Sequence, residues 1–140
     1  MKNFRAQNYR SLAFFLGAVV IGAITSTAHA QRAPADIQRD YDQFITKFRG
    51  ALKANDGAAV TEMTKFPFYS GEMRDAAYFH KNIYGKIFTP KVRNCIMRGK
   101  GVYDRAPNGE DNFTVFCGEE LFLFTKTPTG FRFAEAGVND

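Results

Sequence analysis

NFTVFCGEELFLFTKTPTGFRFAEAGV, residues 112–138, decides the fold class. From Thr89 onward the pattern changes to period two, and 112–117, 120–125 and 130–138 read as three strands. Period two is the pattern of a half-buried strand. Pro128-Thr129-Gly130 supplies the turn of the last hairpin. A shorter strand at 101–103 precedes these, followed by a turn containing Pro107, Asn108 and Gly109. Residues 91–98 also read as a strand, with Val92, Asn94 and Ile96 on one face and Arg93, Cys95 and Met97 on the other.

Upstream of Thr89 the period is helical. In residues 36–55, Ile37, Tyr41, Phe44, Ile45, Phe48, Ala51 and Leu52 recur at three-and-four spacing, within an arc of about 120° at 100° per residue. Asp36 is placed to cap the start, and Asn55-Asp56-Gly57 ends the helix. Asp56 can cap a short second helix carrying Val60 and Met63, which Pro67 stops. Residues 73–88 read as a third helix that ends before Pro90. Its apolar half holds Met73, Phe79, Ile83, Tyr84, Ile87 and Phe88, with His80 near the centre. Helices first and antiparallel strands after predict an α+β fold, with N-terminal helices packed on one face of a curved antiparallel sheet.

The first thirty residues have a different character. Lys2, Arg5 and Arg10 form a positive start, residues 12–24 (LAFFLGAVVIGAI) are apolar, and Ala28-His29-Ala30 gives a small-x-small cleavage pattern. The segment reads as a secretory signal peptide, cleaved after Ala30. Its apolar run falls short of the ~20 residues that a spanning helix needs, so no stable membrane anchor is expected after cleavage. The product is expected in the periplasm or outside the cell, as a flexible leader (31–35) and one domain (36–140).

Removing Lys2, Arg5 and Arg10 from 19 basic residues leaves 16 against 14 acidic, a formal net charge of +2. With these charges interspersed, a nucleic-acid partner has little support. Cys95 and Cys117 both lie in the mature part, and in an oxidising compartment such a pair is expected to bond, here across two strands. The chain-entropy model gives that bond about 3 kcal/mol. A redox pair would have C-x-x-C spacing, and a zinc site needs more ligands than one His and two Cys. No metal and no cofactor is implied.

The order of elements resembles the nuclear transport factor 2-like (cystatin-like) superfamily, the cone-shaped fold shared with ketosteroid isomerases and polyketide-cyclase-like proteins. The matching stretches are YDQFITKFRGALKANDGAAVTEMTKFPF, IYGKIFTPKV and ELFLFTKTPTGFRFAEAGV. The resemblance implies a pocket between the long helix and the concave sheet. It carries over no catalytic residue, and the superfamily includes enzymes, binding proteins and assembly modules.

No phosphate loop, nucleophile elbow or H-E-x-x-H motif is present. His80, Asn94 and Glu135 each occupy a position where an apolar residue is expected, Glu135 by sharing a strand face with Phe131 and Phe133. With Tyr84, these residues make up the candidate lining of an aromatic pocket. Each polar one also has a structural reading, as a core histidine, a bulge amide and a strand-end carboxylate. The leading expectation is a non-catalytic exported module that binds a small apolar ligand or a protein partner. A cofactor-free isomerase or dehydratase with Glu135 or His80 as base is the second, and a homodimer formed through the sheet face is the third. Intact-mass measurement of the exported protein should give a chain beginning at Gln31; a mature species retaining residues 12–24 would overturn the signal assignment.

Overall fold

A computed structural model describes residues 31–139, so the signal segment and its cleavage point lie outside the described residues. The chain is α+β, with N-terminal helices packed against a four-stranded antiparallel sheet. Helix α1 (Ala35–Ala54) buries Tyr41, Phe44, Ile45, Phe48 and Leu52 on one stripe, as the spacing predicts. It starts one residue earlier than expected, with Pro34 rather than Asp36 at the cap position, and it ends on Asn55 in the left-handed region. Asp56 accepts from the Ala59 amide at 2.9 Å and opens α2 (Gly57–Glu62).

The third expected helix is divided. Met73 and Arg74 form strand β2, paired with β1 (Phe68–Tyr69) in a small hairpin. The helical rod then runs through α3 (Ala76–Tyr78), a π-helical turn at Phe79–Ile83, and α4 (Tyr84–Ile87).

Residues 91–98 are not a strand. They belong to helix α5 (Pro90–Arg98), in which Thr89 accepts from the Val92 amide and Pro90 occupies the first turn. Val92 and Ile96, read as one strand face, are equally one helical turn apart, and both are buried. Thr-Pro at the head of the segment was the deciding signal.

The sheet runs β3 (Gly101–Arg105), β4 (Asp111–Cys117), β5 (Glu120–Thr127) and β6 (Gly130–Val138), each hydrogen-bonded to the next. Its inner row aligns Tyr103, Phe113, Phe124 and Phe133 across the four strands. Phe133 meets Phe48, Phe68, Phe79 and Phe88 from the helical side and the β1–β2 hairpin, Phe124 also meets Phe48, and Phe113 stacks on Tyr41 of α1. Phe133 is fully buried, and its backbone also ties in the segment after α2: Lys65 N–H donates to its carbonyl at 2.7 Å, and its own N–H donates to Met63 O at 2.9 Å.

Cys95 and Cys117 are bonded, with Cα atoms 5.8 Å apart. The bond joins helix α5 to strand β4 rather than two strands, because Cys95 is helical. Such a pair fits an oxidising compartment. Among the described residues no helix is long and apolar enough to cross a membrane.

Phe133→Ala removes the ring on which both layers pack, so it should cost about 3–5 kcal/mol in urea unfolding. A loss below about 1 kcal/mol would show that the rings around it do not depend on it.

Candidate functional site

His80, Asn94 and Glu135 do not converge; all three are exposed. His80 is displaced by the π turn. Bonding from i to i+5 adds one residue to the turn and rotates everything downstream by about 100°. Tyr84, Ile87 and Phe88 thereby swing back over Phe79 and leave His80 off the stripe. Asn94 points outward because its segment is a helix, in which Val92 and Ile96 form the buried side. Glu135 is turned out by a β-bulge: Phe124 pairs with Phe133 but Leu123 pairs with Glu135, so Ala134 is an extra residue. The inward alternation then resumes at Ala136, which packs on the core.

Tyr84, Phe131 and Phe133 are buried as part of the core; none of them lines a cavity between helices and sheet, and Phe131 forms the floor of a cleft outside it. The Tyr84 hydroxyl donates to Asn55 Oδ1 at 3.0 Å, and Arg93 Nη1 donates to the same oxygen at 2.9 Å and to Phe88 O at 2.9 Å. One amide oxygen thus clasps the ends of α1, α4 and α5. Burial raises the Tyr84 pKa, and the Arg93 charge opposes it. Gly57 makes the approach feasible, since a Cβ there would stand 2.9 Å from Tyr84 Cδ1 and 3.1 Å from His80 Cδ2. His80 is therefore a ring lying on Gly57 at the surface.

Besides tyrosines, the buried polar side chains among the described residues are Thr64, Asn112 and Thr125. The space between helices and sheet is filled by rings, and the larger clefts lie outside it. One, of about 450 Å³, runs between α1 and the β5–β6 turn over Phe44, Met63 and Phe131. Asp40 and Lys126 are ion-paired across it, and the hydrogen bond from Lys126 holds the Asp40 carboxyl below its ordinary pKa. Lys126 Nζ also lies 5.3 Å from the centre of the Phe131 ring. These charges satisfy one another, which makes the cleft a brace between helix and hairpin.

A second cleft, about 330 Å³, separates α1 from the α5–β3 junction. Tyr41 lies at this junction, 3 % exposed, its ring stacked 3.8 Å from that of Phe113 and its hydroxyl without a hydrogen-bond partner. Arg49 spans the same junction, donating to Ile96 O at 3.0 Å and Gly99 O at 2.5 Å. Sequence reasoning placed Tyr41 on the apolar stripe but gave no role to its hydroxyl or to Arg49, whose carbonyl partners are 47 and 50 residues away in the chain. Among the described residues, no group of three or more His, Cys, Asp or Glu side chains is placed to hold a metal ion.

Among the described residues, large apolar side chains are exposed on the β1–β2 hairpin, on the outer sheet face and, at Val138, at the end of β6. On the β1–β2 hairpin, Tyr69 (64 %) and Met73 (66 %) are paired across the strands, and Arg74 lies 4.2 Å over the ring of the half-exposed Tyr78. On the outer sheet face, Val102 and Phe116 are exposed at 48 % and 45 %. With this geometry in hand, comparison with protein-family models, curated proteins and solved structures finds no match in any of the three.

Burial pushes the Tyr41 hydroxyl up to about 12 from its ordinary 10.0. The unfolded chain therefore releases this proton first. The associated stability, on the order of 2 kcal/mol, is complete below pH 10 and lost as pH rises toward 12. Urea unfolding between pH 9 and 11.5 should show a shallower alkaline loss in Tyr41→Phe than in the wild type. Equal slopes would place the titration elsewhere.

Proposed function

We propose that the chain is an exported, non-catalytic module that works by docking a protein partner on the β1–β2 hairpin. The observation that carries this reading is the contrast between a ring-filled interior and the exposed cluster of Tyr69, Met73, Arg74 and Tyr78. Tyr, Met and Arg are the residue types enriched where protein interfaces concentrate their energy. A hairpin with two such side chains standing on one side offers them without rearranging the core. The filled interior favours this reading over a small apolar ligand held between helix and sheet. It also favours it over an isomerase or dehydratase, because His80 and Glu135 share no enclosed point with a substrate.

The N-terminal segment supports export to the periplasm or the extracellular space, and the bonded cysteines are consistent with either. Helices followed by a four-stranded antiparallel sheet support the likeness to the nuclear transport factor 2-like superfamily, whose members include partner-assembly modules. A second reading rests on the outer sheet face. There Val102 and Phe116 suit a homodimer.

A photocrosslinking residue in place of Tyr69, used in the protein's own compartment, should mark one partner. That partner, purified and titrated, should bind the Tyr69→Ser/Met73→Ser variant at least tenfold more weakly, with an unchanged thermal midpoint. Equal affinity for the variant would overturn the hairpin reading. Sedimentation of the wild type as a dimer and of Phe116→Lys as a monomer would move the function to the sheet face.

A further inference from the structure

We propose that the cleft between α1 and the α5–β3 junction is a binding site for a small oxyanion, the carboxylate or phosphate head group of a small molecule. It stands apart from the hairpin and does not depend on the partner-docking reading. Arg49, Arg98 and Lys100 line it, and none of them has an ion-pair partner among the described residues. Asp42 is the one carboxylate in the lining, and its Oδ1 already accepts from Gln38 Nε2 at 2.9 Å. The local balance is strongly positive.

Charge alone would describe a solvated surface; two further features make this a built site. The first is Arg49. Its Nε and Nη2 are anchored on the carbonyls of Ile96 and Gly99 at the end of α5, so the guanidinium is held in one orientation and Nη1 is left unengaged. An anchored guanidinium loses little freedom when it binds an oxyanion, and its planar fork matches carboxylate and phosphate geometry.

The second feature is the Tyr41 hydroxyl. Its residue is more than nine-tenths buried, yet the oxygen has no hydrogen-bond partner. Native proteins rarely leave such a group unpaired, because desolvation without a partner is costly. It faces Gly101, where a Cβ would stand 2.6 Å from the oxygen, so the wall at this point is bare backbone. Arg49 is close enough for its charge to act on the hydroxyl, and burial keeps that hydroxyl protonated, a donor at any physiological pH. The hydroxyl is closed to solvent by its packing on Gly101, so a ligand oxygen that parted the two would satisfy the hydroxyl while the Arg49 guanidinium held its charge. Arg98 and Lys100, on either side of Gly99, would then close over the remaining charge.

Two-dimensional amide NMR of the exported protein, titrated separately with inorganic phosphate and with acetate, tests this against sodium chloride at matched ionic strength. Saturable shifts at Gly99, Lys100 and Gly101 are expected with at least one oxyanion and not with chloride. The stronger of the two arms identifies the head group. Affinity should fall at least tenfold in Arg98→Ala/Lys100→Ala, two exposed positions whose loss leaves the core intact. It should also fall several-fold in Tyr41→Phe, which keeps the stacked ring. Shifts that fail to saturate, or that chloride reproduces, would overturn the site. So would a Tyr41→Phe variant that binds as tightly as the wild type, since the cleft would then act only as surface charge.

Discussion

The packing of Phe133 holds the two layers in register. Its ring is in the aromatic cluster with Phe48 of α1, Phe68 of the hairpin, Phe79 and Phe88 of the helical rod, and Phe124 of the neighbouring strand. Its backbone N–H and C=O are both engaged on the outer edge of β6, by Met63 and Lys65, while the strand pairs with β5 along its other edge. A residue so constrained cannot rotate out, and the chain on either side must adapt. The bulge at Ala134 is that adaptation. It re-aims the strand so that Ala136, rather than Glu135, follows Phe133 into the core.

Filling the interior with rings moves the chemistry to the seams between elements. Each seam is closed by a long-range polar contact: Tyr84 and Arg93 on Asn55, Lys126 on Asp40, Arg49 on the end of α5. The disulfide strengthens the last of these. By fixing α5 to β4 it fixes the two carbonyls that orient Arg49. The covalent link and the anchored guanidinium thus brace the same end of α5.

Much of the fold was legible because the signals were periodic and long. The stripe of α1 runs from Ile37 to Leu52, about four turns, and the three last strands are rich in large apolar residues and bounded by turn residues. What could not be read were shifts of phase. A π turn moves a helical stripe by one residue, a bulge moves a strand face by one residue, and neither leaves a mark in composition. His80 and Glu135 were each displaced by one such step. Asn94 is a different case. Thr89-Pro90 announced a helix start, but Val92, Asn94 and Ile96 satisfied strand alternation as well, and the capping signal was passed over. His80 and Glu135 thus left the core face by a shift of phase, and Asn94 by a change of period.

The charge of the chain shows the same loss of information in another form. Residues 31–140 carry a formal net charge of +2, and their basic residues are interspersed, which argues against a polyanionic partner. That argument concerns averages. Folding brings Arg49 from the middle of α1 to the side of Arg98 and Lys100, opposite a single carboxylate already engaged with Gln38. Three cations less one carboxylate give +2 at this cleft, equal to the excess of residues 31–140. The rest of that span is formally balanced. A near-neutral protein can therefore present one strongly positive concavity of about 330 Å³, large enough for a head group and too small for a duplex.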